Sequence, residues 1–121
     1  MRRIQHLING KSVESRDYFE TTNPATQDRL AEVASGGADE VNAAVAAAKD
    51  AFPKWAALSA TERAKMMGRL GDLSAAHGPE ISELETRDTG QVSAQTRKNL
   101  GPRAADNFYY YAEICTHNDG H

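Results

Sequence analysis

Alanine, more than any other residue, limits what this chain can fold into. Twenty of its 121 residues are alanine. Leu, Ile, Val and Phe together number only 19, roughly 16% of the chain, below the roughly 20% at which failure to fold becomes a concern. Alanine is the best helix former, and the net charge of −3 is modest. The combination predicts a folded, helix-rich chain with a thin core and marginal stability of its own.

The same inventory excludes several functions. A chain of 121 residues is enough for one domain, expected here over 1–121. A net charge of −3 supplies no basic field, so neither nucleic acid nor an anionic membrane is an expected partner. No apolar run approaches the roughly twenty residues of a membrane span. The opening "MRRIQHLING" carries two arginines with no apolar stretch of signal-peptide length behind them. A single cysteine cannot form an internal disulfide. These features together suit a reducing, cytoplasmic setting.

Along the chain, residues 1–37 read as an extended or hairpin arm, 38–116 as the helical part and 117–121 as a tail. In "HLINGKSV" the Asn9-Gly10 pair favours a tight hairpin turn. Tyr18 and Phe19 suit a strand, and Asn23-Pro24 marks a turn. "ADEVNAAVAAAKDAF" then places Val41, Ala44, Val45, Ala48 and Phe52 at helical spacing. Asp39 is the expected N-cap of that helix and Pro53 its expected stop. Ser59 and Glu62 form a capping-box pattern. Gly78-Pro79 ends one helix and begins another, which Gly90 closes. The last helical stretch, about Gln91 to Cys115, is expected to kink or break at Gly101-Pro102. The fold class is α+β, mostly α: an N-terminal β-hairpin or extended arm followed by three to four packed helices.

Candidate chemistry concentrates in "FYYYAEICTHNDGH". Cys115, His117 and His121 could form a thiolate–imidazole or metal site. A nucleophile needs an oriented base and a substrate site, and zinc needs three or four ligands in a recognised spacing, which is missing. The competing reading puts Cys115 on the helical stripe Ala104, Phe108, Tyr111, Cys115 as a small buried apolar group. Tyr109 and Tyr110 point elsewhere and suit a partner surface. "ASGGAD" precedes a helix but lacks both the dinucleotide fingerprint and the Walker lysine.

The order of motifs is more informative than any one of them. "LINGKSV", "TTNPATQDRLAEVASGGADEVNAAVAAAKDAFPKW", "TERAKMMGRLGDL", "ELETRDTGQ" and "FYYYAEI" follow one another. The series resembles the N-terminal part of the aldehyde dehydrogenase superfamily, most of all bacterial enzymes acting on carboxymethyl-hydroxymuconate semialdehyde. The resemblance implies a parent reaction from aldehyde to acid with NAD or NADP. In that reaction a cysteine attacks the aldehyde, hydride passes to the nicotinamide, and a glutamate activates water. It also implies that the nucleophile, that glutamate and the dinucleotide site lie beyond this segment. The "WNFP"-like, "ELGGK"-like and "GQxC" stretches are absent, and Cys115 is not in the nucleophile's place. No catalytic or cofactor-binding residue is therefore expected in this chain, and no cofactor. By the same resemblance Thr21, Thr22 and Asp88 match a monovalent-cation site, whose other ligands would come from the remainder of the parent enzyme.

The family usually carries aliphatic residues around positions 74, 93 and 101 and an apolar one near Asn118. Here Ser74, Ser93 and Gly101 stand instead. Polar replacements in one direction suggest an engineered or evolved free-standing fragment, a monomer when isolated. The expected function is a non-catalytic structural fragment. Its alternatives are a protein-binding module using Tyr109, Tyr110 and exposed helix faces, or a complementing fragment of a split dehydrogenase.

Overall fold

The structure, a computed structural model, describes residues 2–117. Asn118, His121 and most of the expected tail lie outside the described residues. The chain divides into two compact units, residues 1–56 and 57–121, and each is described by itself.

The first unit holds five strands and one long helix. β1 (Arg2–Ile4) pairs in parallel with β5 (Arg29–Ser35), and β4 (Asp17–Thr22) lies antiparallel on its other side. β2 (His6–Ile8) and β3 (Lys11–Val13) form a separate two-stranded hairpin in the register Ile8↔Lys11. Asn9 and Gly10 make its turn with φ of 53° and 71°, the left-handed geometry that an Asn-Gly pair accepts at low cost. The loop from β4 to β5 closes on Asn23, as its proline neighbour predicts. The Asn23 side chain accepts from the Ala25 N–H at 2.9 Å, and its backbone exchanges bonds with Gln27 and Asp28. Ala31 and Ala34 on β5 are the buried apolar residues of this unit.

Helix α1 (Ala38–Ala56) differs from the expectation at both ends. Gly37, not Asp39, holds the cap position. Its carbonyl accepts the Val41 N–H at 3.1 Å, and its own N–H donates to the Glu40 carboxylate at 2.8 Å. Glu40 thus acts from the third helical position, and Asp39 sits inside the first turn. Nor does Pro53 stop the helix. It removes only the bond to the Lys49 carbonyl, and one further turn follows to Ala56. No residue of α1 is buried.

The second unit is helical. α2 (Ala60–Ala76) starts with the full capping box: Ser59 Oγ accepts from the Glu62 N–H at 3.2 Å while the Ser59 N–H donates to Glu62 at 2.8 Å. α3 (Gly78–Thr89) carries Pro79 in its first turn and ends on Gly90 at φ 75°. A single turn, α4 (Ser93–Gln95), runs into a π-helical turn, Thr96–Leu100, and then α5 (Gly101–His117). No break occurs at Gly101-Pro102. The wider π turn comes just before it, and the helix runs on through Pro102 into α5.

Small residues let these helices approach closely. Gly78 and Ser82 on α3, and Gly101 and Ala105 on α5, are all buried. A Cβ at Gly101 would stand 2.9 Å from both the Gly78 carbonyl oxygen and Ser82 Oγ. Two fully buried hydroxyls join the π turn to α3. Ser82 Oγ donates to the Gly78 carbonyl at 2.8 Å, with the Thr96 carbonyl 3.1 Å away as second acceptor. Thr96 Oγ1 donates to the Ser93 carbonyl at 3.0 Å, so Thr86 Oγ1, 2.7 Å away, is the donor in their shared bond. Both buried side chains are satisfied, as burial demands.

Candidate functional surface

Cys115 and His117 both lie on α5. Residues two apart on a helix do not face each other, and the imidazole is engaged elsewhere. His117 Nδ1 is 2.8 Å from the Glu113 carbonyl and 3.1 Å from Thr116 Oγ1. Cys115 is half-buried, and His121, the third candidate, lies outside the described residues. Among those residues no group of three or more His, Cys, Asp or Glu is arranged to hold a metal ion. Thr21 and Thr22 end β4 in the first unit, and Asp88 lies near the end of α3 in the second.

The tyrosines divide differently from their helical phase. Tyr111, expected on the covered stripe, is 57% exposed. Tyr109, expected to face a partner, lies over α2. A Cβ on Gly71 would come within 2.5–2.9 Å of three atoms of its ring, and its hydroxyl donates to Asp72 at 2.7 Å. That hydrogen bond is the main cause that raises the Tyr109 pKa above the ordinary tyrosine value. The ring can lie there only because position 71 has no side chain. Tyr110 and Tyr111 stack edge to face at 5.3 Å and stay exposed.

Exposed apolar surface is the dominant feature. Among the described residues the buried apolar core is three alanines, Ala31, Ala34 and Ala105, while seventeen large apolar side chains are exposed. On α1, Val41, Val45, Phe52 and Trp55 are 59%, 49%, 65% and 41% exposed, at the 3–4 spacing of one helix face. In the second unit Met66, Leu70 and Leu73 of α2 and Ile114 of α5 are also exposed.

The aldehyde dehydrogenase family model matches residues 11–121. The chain belongs to the aldehyde dehydrogenase family. It is 55% identical over 99% of its length to the 5-carboxymethyl-2-hydroxymuconate semialdehyde dehydrogenase of Escherichia coli, and covers 26% of that protein. Among solved structures it is similar to HpcC of Thermus thermophilus, with a TM-score of 0.91 at 37% identity over 96% of this chain and 23% of that one. It is also similar to the aldehyde dehydrogenase of Bacillus cereus in complex with NAD+, with a TM-score of 0.94 at 35% identity over 99% of this chain and 25% of that one. The chain thus spans about a quarter of the length of these relatives, 26% for the Escherichia coli protein. No described helix of this aldehyde dehydrogenase chain is long and apolar enough to cross a membrane.

A nicotinamide dinucleotide is the cofactor this family implies, and the Gly36-Gly37 start of α1 is poorly suited to it. A pyrophosphate would need free N–H groups at the N-terminus of α1. There the Glu40 carboxylate already accepts the Gly37 N–H, a bond that is the leading cause holding its pKa below the usual glutamate value. A second anion at that place meets a fixed negative charge.

Proposed function

We propose that this chain is the non-catalytic N-terminal segment of a cytoplasmic, NAD(P)-dependent aldehyde dehydrogenase. The reaction it serves is oxidation of a semialdehyde to a carboxylic acid, and its partner is the remainder of such an enzyme. The carrying observation is the imbalance, among the described residues, between a buried core of three alanines and seventeen exposed large apolar side chains. In this reading the chain contributes scaffold. The apolar faces of α1, α2 and α5 are covered by the rest of the enzyme, which supplies nucleophile, base and cofactor site. Glu40 at the N-terminus of α1 and His117 turned onto its own helix support the absence of both functions here.

Calorimetry and a dehydrogenase assay test the proposal. The chain alone binds no NAD or NADP and produces no NADH from a semialdehyde. Micromolar NAD binding, or turnover by the purified chain, would overturn it. A protein-binding module is the second reading, favoured by the exposed Tyr110–Tyr111 pair. It predicts stoichiometric capture of a protein unrelated to aldehyde dehydrogenases.

A further inference from the structure

We propose that Asn9 is a site of spontaneous covalent modification, at which the side-chain amide becomes a mixture of isoaspartate and aspartate through a cyclic imide closed by the Gly10 nitrogen. Of the six asparagines in the chain, Asn9 alone precedes a glycine. Both turn residues are exposed, and a Cβ added to Gly10 would meet no atom within 4 Å. The space beside the Gly10 Cα is open.

The hairpin that carries the turn holds it weakly. β2 and β3 have three residues each and form a sheet of two strands only, an arrangement of marginal stability in water. Every residue of β3 is exposed, and Leu7 of β2 is 77% exposed. The anchored end is the opposite one, where a Cβ on Gly36 would lie 3.1 Å from the His6 ring. While closed, the turn keeps both residues at positive φ, a geometry that restrains ring closure. Local opening costs little in such an element and frees Asn9 to rotate.

The chemistry balances without an oxidant or reductant. The Gly10 nitrogen bonds to Asn9 Cγ, the Cγ–Nδ2 bond breaks, and ammonia leaves. Water then opens the imide at either carbonyl. One opening leaves aspartate. The other leaves isoaspartate, with an extra methylene in the main chain. Either product adds a negative charge at the turn. The isoaspartate product also lengthens the loop, so that Ile8↔Lys11 no longer pairs in register.

The test is peptide mapping by mass spectrometry after incubation in mildly alkaline buffer, with and without urea. The expected result is amide-to-acid conversion in the peptide carrying Asn9, resolved into two isomers. Its rate in native buffer is comparable with that in urea, and Asn42, Asn99 and Asn107 stay unconverted. Asn9→Gln, checked for unchanged helix content, loses the conversion. Conversion in urea with none in native buffer would overturn the proposal, because the hairpin then stays closed. Absence of conversion in both would overturn it equally.

Discussion

Replacing Gly71 by alanine tests the α2–α5 contact most sharply, because two effects of known sign oppose each other. In an uncrowded helix interior Gly→Ala is worth about 1 kcal/mol. Gly68, one turn earlier on α2, is such a place: an added Cβ meets nothing within 4 Å. Gly68→Ala should therefore stabilise by up to about 1 kcal/mol. At Gly71 the added Cβ would lie 2.5, 2.8 and 2.9 Å from Tyr109 ring carbons, closer than real contacts allow. The ring cannot swing away freely, because its hydroxyl is bonded to Asp72 at 2.7 Å. Overpacking of this kind costs about 1–3 kcal/mol, and three contacts under 3.0 Å favour the upper half of that range. Subtracting the propensity gain leaves a net loss of about 1–2 kcal/mol. Thermal melts should show the midpoint of Gly71→Ala falling by roughly 4 °C or more while that of Gly68→Ala rises. In a Tyr109→Ala background Gly71→Ala should become stabilising, which isolates the clash by a double-mutant cycle. If Gly71→Ala raises the midpoint with Tyr109 in place, the packing described here is wrong.

Other substitutions test the remaining contacts. Gly101→Ala meets backbone as well as Ser82 Oγ and should destabilise by about 1–3 kcal/mol, read by urea unfolding; a neutral result would refute the close α3–α5 approach. Glu40 and Glu62 have lowered pKa values, chiefly from Gly37 and Ser59 respectively. Their contribution is present above the ordinary glutamate range of about 4.3 and is lost as pH falls through the lower folded values. Glu62→Gln should therefore flatten the acid limb of the melting-temperature profile. Tyr109 is shifted up, so its contribution is complete below about pH 10 and is lost as pH rises through its higher folded value. Tyr109→Phe should flatten that alkaline limb. Ser93 is exposed and Ser74 half-buried, so Ser74→Ile/Ser93→Ile should raise association in light scattering at unchanged helicity; a soluble monomer with a shifted melting temperature would contradict this.

Local chemistry was the legible part. Asn9-Gly10, Ser59 with Glu62, Pro79 and Gly90 each sit where a short-range rule places them, because turns and caps are decided within a few residues. Expectations failed where one local rule met another. Asp39 lost the cap to Gly37 because Glu40 reaches back from the third position. Pro53 cost one bond without ending its helix, and Pro102 was absorbed by a π turn that no residue pattern announces. The Tyr109–Gly71 contact spans two helices, so helical phase alone assigned Tyr109 and Tyr111 to the wrong faces. One signal was present and unused: Gly78, Ser82, Gly101 and Ala105 are small residues four apart on two helices, the mark of a close crossing. Of the candidate residues, Cys115 and His117 were separable by helix geometry from the spacing alone. Thr21, Thr22 and Asp88 come only from the family resemblance.

In the proposed function this chain supplies scaffold and apolar contact surface to an enzyme whose chemistry lies elsewhere. The direct measurement mixes it with a semialdehyde dehydrogenase relative lacking its own N-terminal quarter, and follows NADH formation and elution volume together. A stoichiometric complex and aldehyde-dependent NADH are expected from the mixture, with neither component active alone. Two soluble components that stay apart and inactive, or NADH produced by this chain alone, would contradict it.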